Sequence, residues 1–105
     1  MFMQSDVEWE VEWDVDTDTT GDTGSMYKVI IHNDSVTPYL FVIDILLRIF
    51  GLDRPKAELV TWTAHTTGIA YVTSLPKKEA ERRVGRAHFA ASLEGYPLTF
   101  TLEPE

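Results

Sequence analysis

The chain has 105 residues, 44% of them hydrophobic and 25% charged, which is typical of one globular domain with its own core. It contains no cysteine, which excludes disulfides and thiolate metal sites and favours a reducing compartment. The sequence has neither an apolar stretch long enough to cross a bilayer nor the pattern of a signal peptide. We therefore expect a cytoplasmic protein that does not associate with a membrane.

The charge is distributed unevenly along the chain. The formal net charge is -8, and residues 1–26 contain eight acidic residues but no Lys or Arg. Residues 27–105 carry nine acidic and nine basic residues, so this part has no basic surplus that would bind a phosphate backbone. We expect an acidic extension over residues 1–26, one folded domain over residues 27–105, and no nucleic-acid partner.

Within the extension, Val and Trp alternate with acidic residues over residues 7–15, which is the period of an extended strand. Repulsion between the acidic side chains, and the linker-like residues that follow, favour a mobile arm. Two tryptophans on one side favour docking on a surface or pairing as an edge strand. The sequence leaves both possibilities open.

Three strands and three helices are predicted after the extension. The β-branched residues 27–32 predict a strand, and so do residues 69–73 and the alternating residues 98–103. Apolar spacing predicts helices over residues 38–50, 54–65 and 74–93. The order β-α-α-β-α-β predicts an α+β sandwich, with three helices on one face of a three-stranded, mostly antiparallel sheet.

Particular residues predict where these helices begin and end. Thr37, which precedes a proline, predicts the N-cap of the first helix, and Asp53 and Ser74 predict the starts of the second and third. Gly51 and Gly68 are placed to end the first and second helices in the left-handed conformation.

The first predicted helix is apolar almost all round. Only Asp44 and Arg48 interrupt its hydrophobic surface, at a spacing that allows them to pair. We therefore expect the helix to be covered on more than one side, by the core and by something else, either other helices or a ligand.

The main candidate for chemistry is the polar run HNDS at residues 32–35, together with a histidine further along the chain. Turn and cap hydrogen bonds are the simplest explanation of such residues. Ser35 could belong to a hydrolytic triad, but nothing in the sequence positions an oxyanion hole. His32, His65 and His88 could bind zinc, but their spacing is unlike that of the usual sites. We therefore expect no catalytic residue, no metal and no cofactor.

The segment SMYKVIIHNDSVTPYLFV resembles the ClpS family, whose pattern is a strand, Asn-Asp-Asp, an aromatic residue, Thr-Pro and an apolar helix. The resemblance continues through LLRIFGLDRPKAELVTWTAHTTGIAYV and LPKKEAERRVGRAHFAASLEGYPLTFTLEP, so that it covers residues 25–105. It implies an adaptor and not an enzyme. Such adaptors bind proteins with a large hydrophobic first residue, an N-degron, and deliver them to a Clp AAA+ unfoldase for ATP-dependent proteolysis. The partner would be a ClpA-type or ClpC-type unfoldase, and the free adaptor would be a monomer.

The resemblance also implies which residues bind the degron. Asn33, Asp34, Ser35 and His65 occupy the positions that bind the free α-ammonium, where an amide oxygen and a neutral imidazole nitrogen can accept its protons. The implied side-chain pocket takes Leu, Phe, Trp or Tyr. Its residues are Thr37, Tyr39, Val42, Ile45, Thr61, Ala64 and Leu98.

Several positions depart from the family pattern. Ser35 stands in place of the second acid, and Tyr39 and Thr61 stand in place of two pocket methionines, so the selectivity of the pocket is left open. On the surface that contacts the unfoldase, Lys78 replaces a glutamate and Arg83 keeps the basic position. The alternative is a divergent regulator of a Clp unfoldase that has lost degron binding.

Overall fold

The computed structural model describes residues 25–105. The two possibilities for the alternating segment of the extension therefore concern residues outside the described part of the chain. Within residues 25–105, no helix has the length and the apolar content needed to cross a membrane.

Six elements follow one another in the described part of the chain. They are β1 (Met26–His32), α1 (Tyr39–Arg48), α2 (Arg54–Thr67), β2 (Ile69–Pro76), α3 (Lys77–Leu93) and β3 (Thr99–Pro104). The three strands form one sheet in the order β2-β1-β3, and both pairs of neighbours are antiparallel. This confirms the predicted α+β class and the predicted order of elements.

The central strand β1 organises the molecule. Val29 and Ile31 are fully buried and point to the face of the sheet that the helices cover. The register places Ile31 opposite Ala70 of β2 and Phe100 of β3, so the three strands contribute side chains to the same layer of the core. The C-terminal end of β1 therefore lies between the start of β2 and the start of β3.

The helices close the core over this face. Ala57 of α2 and Ala80 and Ala87 of α3 have no exposed surface, and such small side chains let a helix approach its neighbours closely. Helix α1 packs on α2 and buries Val42, Ile43, Ile45 and Leu46. We expected the helix to be covered on more than one side, but in its first turn Leu40 is 71% exposed.

The predicted limits of α2 are largely confirmed. Asp53 is its N-cap, where Asp53 Oδ1 accepts from the backbone N–H of Lys56 at 3.0 Å. Gly68 ends the helix with φ of 100°, as predicted, and the last helical residue is Thr67, two residues beyond the expected His65. Gly51 is also left-handed, with φ of 71°, but α1 ends earlier, at Arg48.

Two predicted caps are wrong. Thr37 does not cap α1: Pro38 is the N-cap, and no side chain accepts from the first turn. Ser74 does not begin α3, because β2 continues to Pro76, which pairs with Met26 of β1. The hydroxyl of Ser74 instead donates to Glu105 at 2.7 Å.

Candidate functional site

A cavity of about 170 Å³ lies where β1 ends and α1 begins, beside the last two turns of α2. Three parts of the chain that are distant in sequence therefore meet at one place: the connection from β1 to α1, the end of α2, and Leu98 before β3. A space of about this size holds one aromatic ring. The residues that line it are Ile31, His32, Asn33, Asp34, Ser35, Thr37, Tyr39, Val42, Thr61, Ala64, His65 and Leu98.

One backbone hydrogen bond joins the two polar parts of the lining. The N–H of Asn33, directly after β1, donates to the carbonyl of Gly68 at 2.9 Å. Gly68 terminates α2, so this bond brings Asn33 to the same end of the domain as His65 in the last turn of that helix. The left-handed backbone at Gly68 is what lets α2 end there and turn into β2.

The carboxylate of Asp34 holds the turn between β1 and α1. Asp34 Oδ1 accepts from the backbone N–H groups of Val36 at 2.8 Å and Thr37 at 2.7 Å, and Asp34 Oδ2 accepts from the Thr37 hydroxyl at 2.9 Å. Partial burial raises the pKa of Asp34, but these hydrogen bonds outweigh it and hold the pKa below its ordinary value. The Thr37 hydroxyl, which we expected to cap α1, is used in this turn.

Several polar side chains at the cavity are not engaged by the rest of the domain. The side chains of Asn33, Ser35 and His65 make no hydrogen bond to any residue in the range 25–105, and all three are exposed. Their acceptor atoms are therefore available to a molecule that enters the cavity. The imidazole of His65 is held by ring contacts, perpendicular to Tyr39 with centroids 5.8 Å apart and tilted against Trp62 at 6.0 Å.

The deeper wall of the cavity is apolar. Val42, Ala64 and Leu98 are buried and belong to the core. Thr61 is 3% exposed, and its hydroxyl donates to the carbonyl of Ala57 at 2.7 Å, so this polar atom is already satisfied within the helix. The wall therefore offers hydrocarbon surface to an occupant.

One residue assigned to the pocket lies elsewhere, and two lining residues were not anticipated. Ile45 packs in the core and does not line the cavity; it lies about one turn further along α1 than Val42, which does. Ile31 and His32 line it at the end of β1. The inward position of Ile31 follows from the alternation of β1, which could have identified it.

The three histidines serve different parts of the domain. The His32 ring shares a 2.7 Å hydrogen bond with the Thr101 hydroxyl, and His88 Nε2 accepts from the backbone N–H of Phe100 at 2.9 Å. His65 alone among them combines exposure with a place in the cavity lining and no hydrogen bond within the described domain. Residues 25–105 contain no group of three His, Asp or Glu side chains arranged to hold a metal ion.

The residues assigned to the unfoldase lie on α3. Lys78 is exposed in the first turn of this helix. Arg83 is half-buried: its Nε donates to Glu79, and its Nη1 donates to the carbonyl of Ile49, after α1, at 3.1 Å. Burial raises the pKa of Glu79, but hydrogen bonds and charge attraction from Arg82 and Arg83 outweigh it and hold that pKa below its ordinary value.

This part of α3 lies near the other end of β1. The N–H of Lys77 donates to the carbonyl of Ser25 at 3.2 Å, and the N–H of Glu105 donates to the carbonyl of Met26 at 3.0 Å. The cavity lies beside Ile31 and His32, at the opposite end of this seven-residue strand. A strand of that length spans about 20 Å, so the start of α3 and the cavity are separate surfaces.

The chain is similar to known proteins of one family. Residues 22–101 match the family model of the ATP-dependent Clp protease adaptor protein ClpS. ClpS 2 of Mesorhizobium japonicum is 42% identical over 80 residues, which cover 76% of this chain and 79% of that protein. ClpS 1 of Rhodopseudomonas palustris is 41% identical over 76% of this chain and 78% of its own length.

A solved structure agrees with these relatives. Agrobacterium tumefaciens ClpS2 bound to L-phenylalaninamide matches with a TM-score of 0.74 and 36% sequence identity, over 77% of this chain and 98% of that one. The residues that the family model matches include all those that line the cavity. The chain therefore belongs to the ClpS family of adaptor proteins of the ATP-dependent Clp protease.

Proposed function

We propose that the cavity binds the first residue of proteins that carry an N-degron, and that the adaptor delivers them to a Clp AAA+ unfoldase. One observation carries this proposal: unengaged acceptor groups of Asn33 and His65 stand at an open cavity whose deeper wall is apolar. The similar A. tumefaciens ClpS2 is bound to L-phenylalaninamide, a molecule that has a free α-amino group and a large apolar side chain.

The polar side of the cavity suits an α-ammonium. Such a group offers three donors and no acceptor, while Asn33 Oδ1 and an unprotonated nitrogen of His65 accept. Asp34 adds a negative charge beside them, although its oxygens already accept three hydrogen bonds from the turn. Each charge-assisted bond contributes about 1.5–3 kcal/mol. The Ser35 hydroxyl supplies a further acceptor at the cavity.

The apolar side of the cavity suits Leu, Phe, Trp or Tyr. Burying one such side chain contributes about 1.5–3 kcal/mol. Val42, Ala64 and Leu98 supply the hydrocarbon contact, with Thr61, whose hydroxyl is bound to its own helix. Tyr39 lines the cavity without filling it, since a space of about 170 Å³ remains beside its ring. The open cavity disfavours the alternative of a regulator that has lost degron binding.

We further propose that delivery uses the surface around Lys78 and Arg83 and a ClpA-type or ClpC-type unfoldase. Both residues lie on α3, away from the cavity, so the adaptor could hold a substrate and an unfoldase at the same time. In this proposal the protein is a cytoplasmic monomer when free, and it binds and transfers without catalysing a reaction. The acidic extension over residues 1–26 engages the unfoldase.

Fluorescence anisotropy with labelled peptides tests degron binding. Peptides that begin with Leu, Phe or Trp are compared with their N-acetylated forms and with a Gly-initiated peptide. We expect acetylation to weaken binding by about 100-fold, because it removes the positive charge and two donors. Equal binding of free and acetylated peptides would refute ammonium recognition.

The unfoldase surface needs a separate test. Lys78→Ala should weaken capture by the amino-terminal domain of a ClpA-type or ClpC-type unfoldase without changing peptide affinity. Arg83→Gln is the better variant at the second position and should also weaken capture, because it removes the charge but keeps an amide donor for the carbonyl of Ile49, which links α3 to the end of α1. If both variants are captured as well as the wild-type protein by both unfoldase types, the surface has been assigned wrongly.

A further inference from the structure

Three rings form a row at one side of the cavity mouth. The His65 ring stands between Tyr39 and Trp62, with centroid distances of 5.8 Å and 6.0 Å. Tyr39 and His65 line the cavity, whereas Trp62 lies outside the lining. Trp62 is 56% exposed and Tyr39 is 39% exposed, so the row presents ring surface to solvent that nothing in residues 25–105 covers.

We propose that this aromatic row is a subsite for the second residue of the bound substrate, and that it prefers an aromatic side chain there. The inference rests on the proposed function, which places the ammonium at Asn33 and His65 and the first side chain inside the cavity. The rest of the substrate must then leave through the mouth. Because successive Cα atoms are 3.8 Å apart, the second side chain begins within reach of the rings that flank His65.

The chemistry of the row selects the occupant. Aromatic rings attract one another when their centroids lie about 4.5–7 Å apart in tilted or edge-to-face arrangements. The His65 ring already makes both kinds of contact, so the outer surfaces of Trp62 and Tyr39 are left for a further ring. The indole is attached to α2, a 14-residue helix, so little order is lost when a second ring packs on it.

A competing role for Trp62 is to hold the imidazole of His65 in place. In that case the loss of Trp62 weakens ammonium binding whatever the second residue is. In a subsite for the second residue, the loss of Trp62 affects only substrates with an aromatic second residue. The two roles are therefore separated by varying the substrate and the protein together.

The test measures the affinities of Leu-Phe, Leu-Ala, Leu-Arg and N-acetylated Leu-Ala peptides for four proteins. These are the wild type, Trp62→Ala, Trp62→Phe and the control Phe89→Ala, which removes a 64% exposed ring from α3. For the wild type we expect Leu-Phe to bind about three- to tenfold tighter than Leu-Ala. Trp62→Ala should bring this ratio close to one, while Trp62→Phe and Phe89→Ala should preserve most of it.

Every other result overturns the inference. Equal weakening of both peptides by Trp62→Ala would mean that Trp62 only positions His65. A wild-type preference for Leu-Arg over Leu-Phe would mean that the row selects a cation. If Leu-Phe and Leu-Ala bind equally and acetylated Leu-Ala binds much more weakly, the subsite is refuted and the proposed function is not affected. If none of the free peptides binds, both the subsite and the proposed function are refuted.

Discussion

The two walls of the cavity are built in opposite ways. One wall is the turn over residues 33–37, which is polar and largely exposed and is held by the hydrogen bonds of Asp34. The other is formed by buried residues such as Val42 and Ala64, which also belong to the core. Groups on the turn can therefore be specialised for recognition at little cost in folding, while the inner wall must serve both folding and binding.

Filling the cavity from the inner wall should have the largest effect on binding. In Ala64→Leu the added atoms enter the open space, so we expect the affinity for Leu- and Phe-initiated peptides to fall by about 100-fold or more. The free energy of unfolding in urea should change by less than about 1 kcal/mol, because nothing has to move.

Ala87→Leu is the matched control for this substitution. Ala87 is fully buried on α3 and does not line the cavity, so the larger side chain overpacks the core and should cost about 1–3 kcal/mol. If the two variants lose equal stability, Ala64 does not face usable space and the contrast between the walls fails.

Removing one acceptor from the turn should have the next largest effect. Asn33→Ala should weaken binding of a free Leu-initiated peptide by about 10- to 100-fold, which corresponds to one charge-assisted hydrogen bond. Its thermal midpoint should be close to that of the wild type, because the amide makes no hydrogen bond to residues 25–105. Isothermal titration with free and acetylated peptides gives the comparison, and an equal loss for both would argue against contact with the ammonium.

Neutralising Asp34 should lower stability in a pH-dependent way. Its pKa is held below the ordinary value in the folded protein, so its contribution is complete above the pKa of the unfolded chain, near 3.9. The contribution is lost as the pH falls through the lower, folded pKa. At pH 7 we expect Asp34→Asn to cost about 1 kcal/mol in urea unfolding, discounted for the solvent exposure of the turn.

The pH series supplies the check on this prediction. The difference between Asp34→Asn and the wild type should shrink as the pH is lowered below about 4. Asp44→Asn is the control, because it breaks only the exposed ion pair with Arg48. It should lower the free energy of unfolding by less than about 0.5 kcal/mol. A difference at Asp34 that persists at pH 2 would mean that the carboxylate charge does not support the turn.

The smallest effect is expected at Thr61. Its hydroxyl donates to the carbonyl of Ala57, so Thr61→Val should change the affinity for Leu-initiated peptides by less than about twofold. Stability should change by less than about 1 kcal/mol, since the carbonyl keeps its helical hydrogen bond. A tenfold change in affinity, measured by anisotropy, would show that the hydroxyl reaches the ligand and that the inner wall is not purely apolar.

The order of the elements could be predicted from the sequence, because each local pattern of residues indicates one kind of element. β-Branched residues identified β1 and alternation identified β3. Both ends of α2 follow from local groups, since the Asp53 side chain accepts from the backbone three residues later and Gly68 adopts the left-handed conformation. Thr37 was wrongly predicted to cap α1, because its hydroxyl donates a hydrogen bond to the carboxylate of Asp34, three residues earlier. Ser74 was misassigned because pairing with β1 determines where β2 ends.

The candidate site depends more on distant parts of the chain. Spacing alone left the polar run at residues 32–35 open to a simple turn, and the family resemblance supplied the degron hypothesis. Helical periodicity could not decide whether Ile45 faces the cavity or the core, since both lie on apolar sides of α1. The contact of Tyr39 with His65 joins α1 to α2 and depends on how the two helices pack, which no local pattern carries. The contact of Trp62 with His65 could have been predicted, because the two residues are three apart on α2.

The hydrogen bonds at Ser25 and Met26 have a practical consequence. They place residues 25 and 105 together at one end of the central strand, while the cavity opens at the other. If the protein were attached to a sensor chip through either of these positions, the mouth of the cavity would face the solution that carries the peptides. Labels or fusion partners attached there would stay about 20 Å away from arriving peptides.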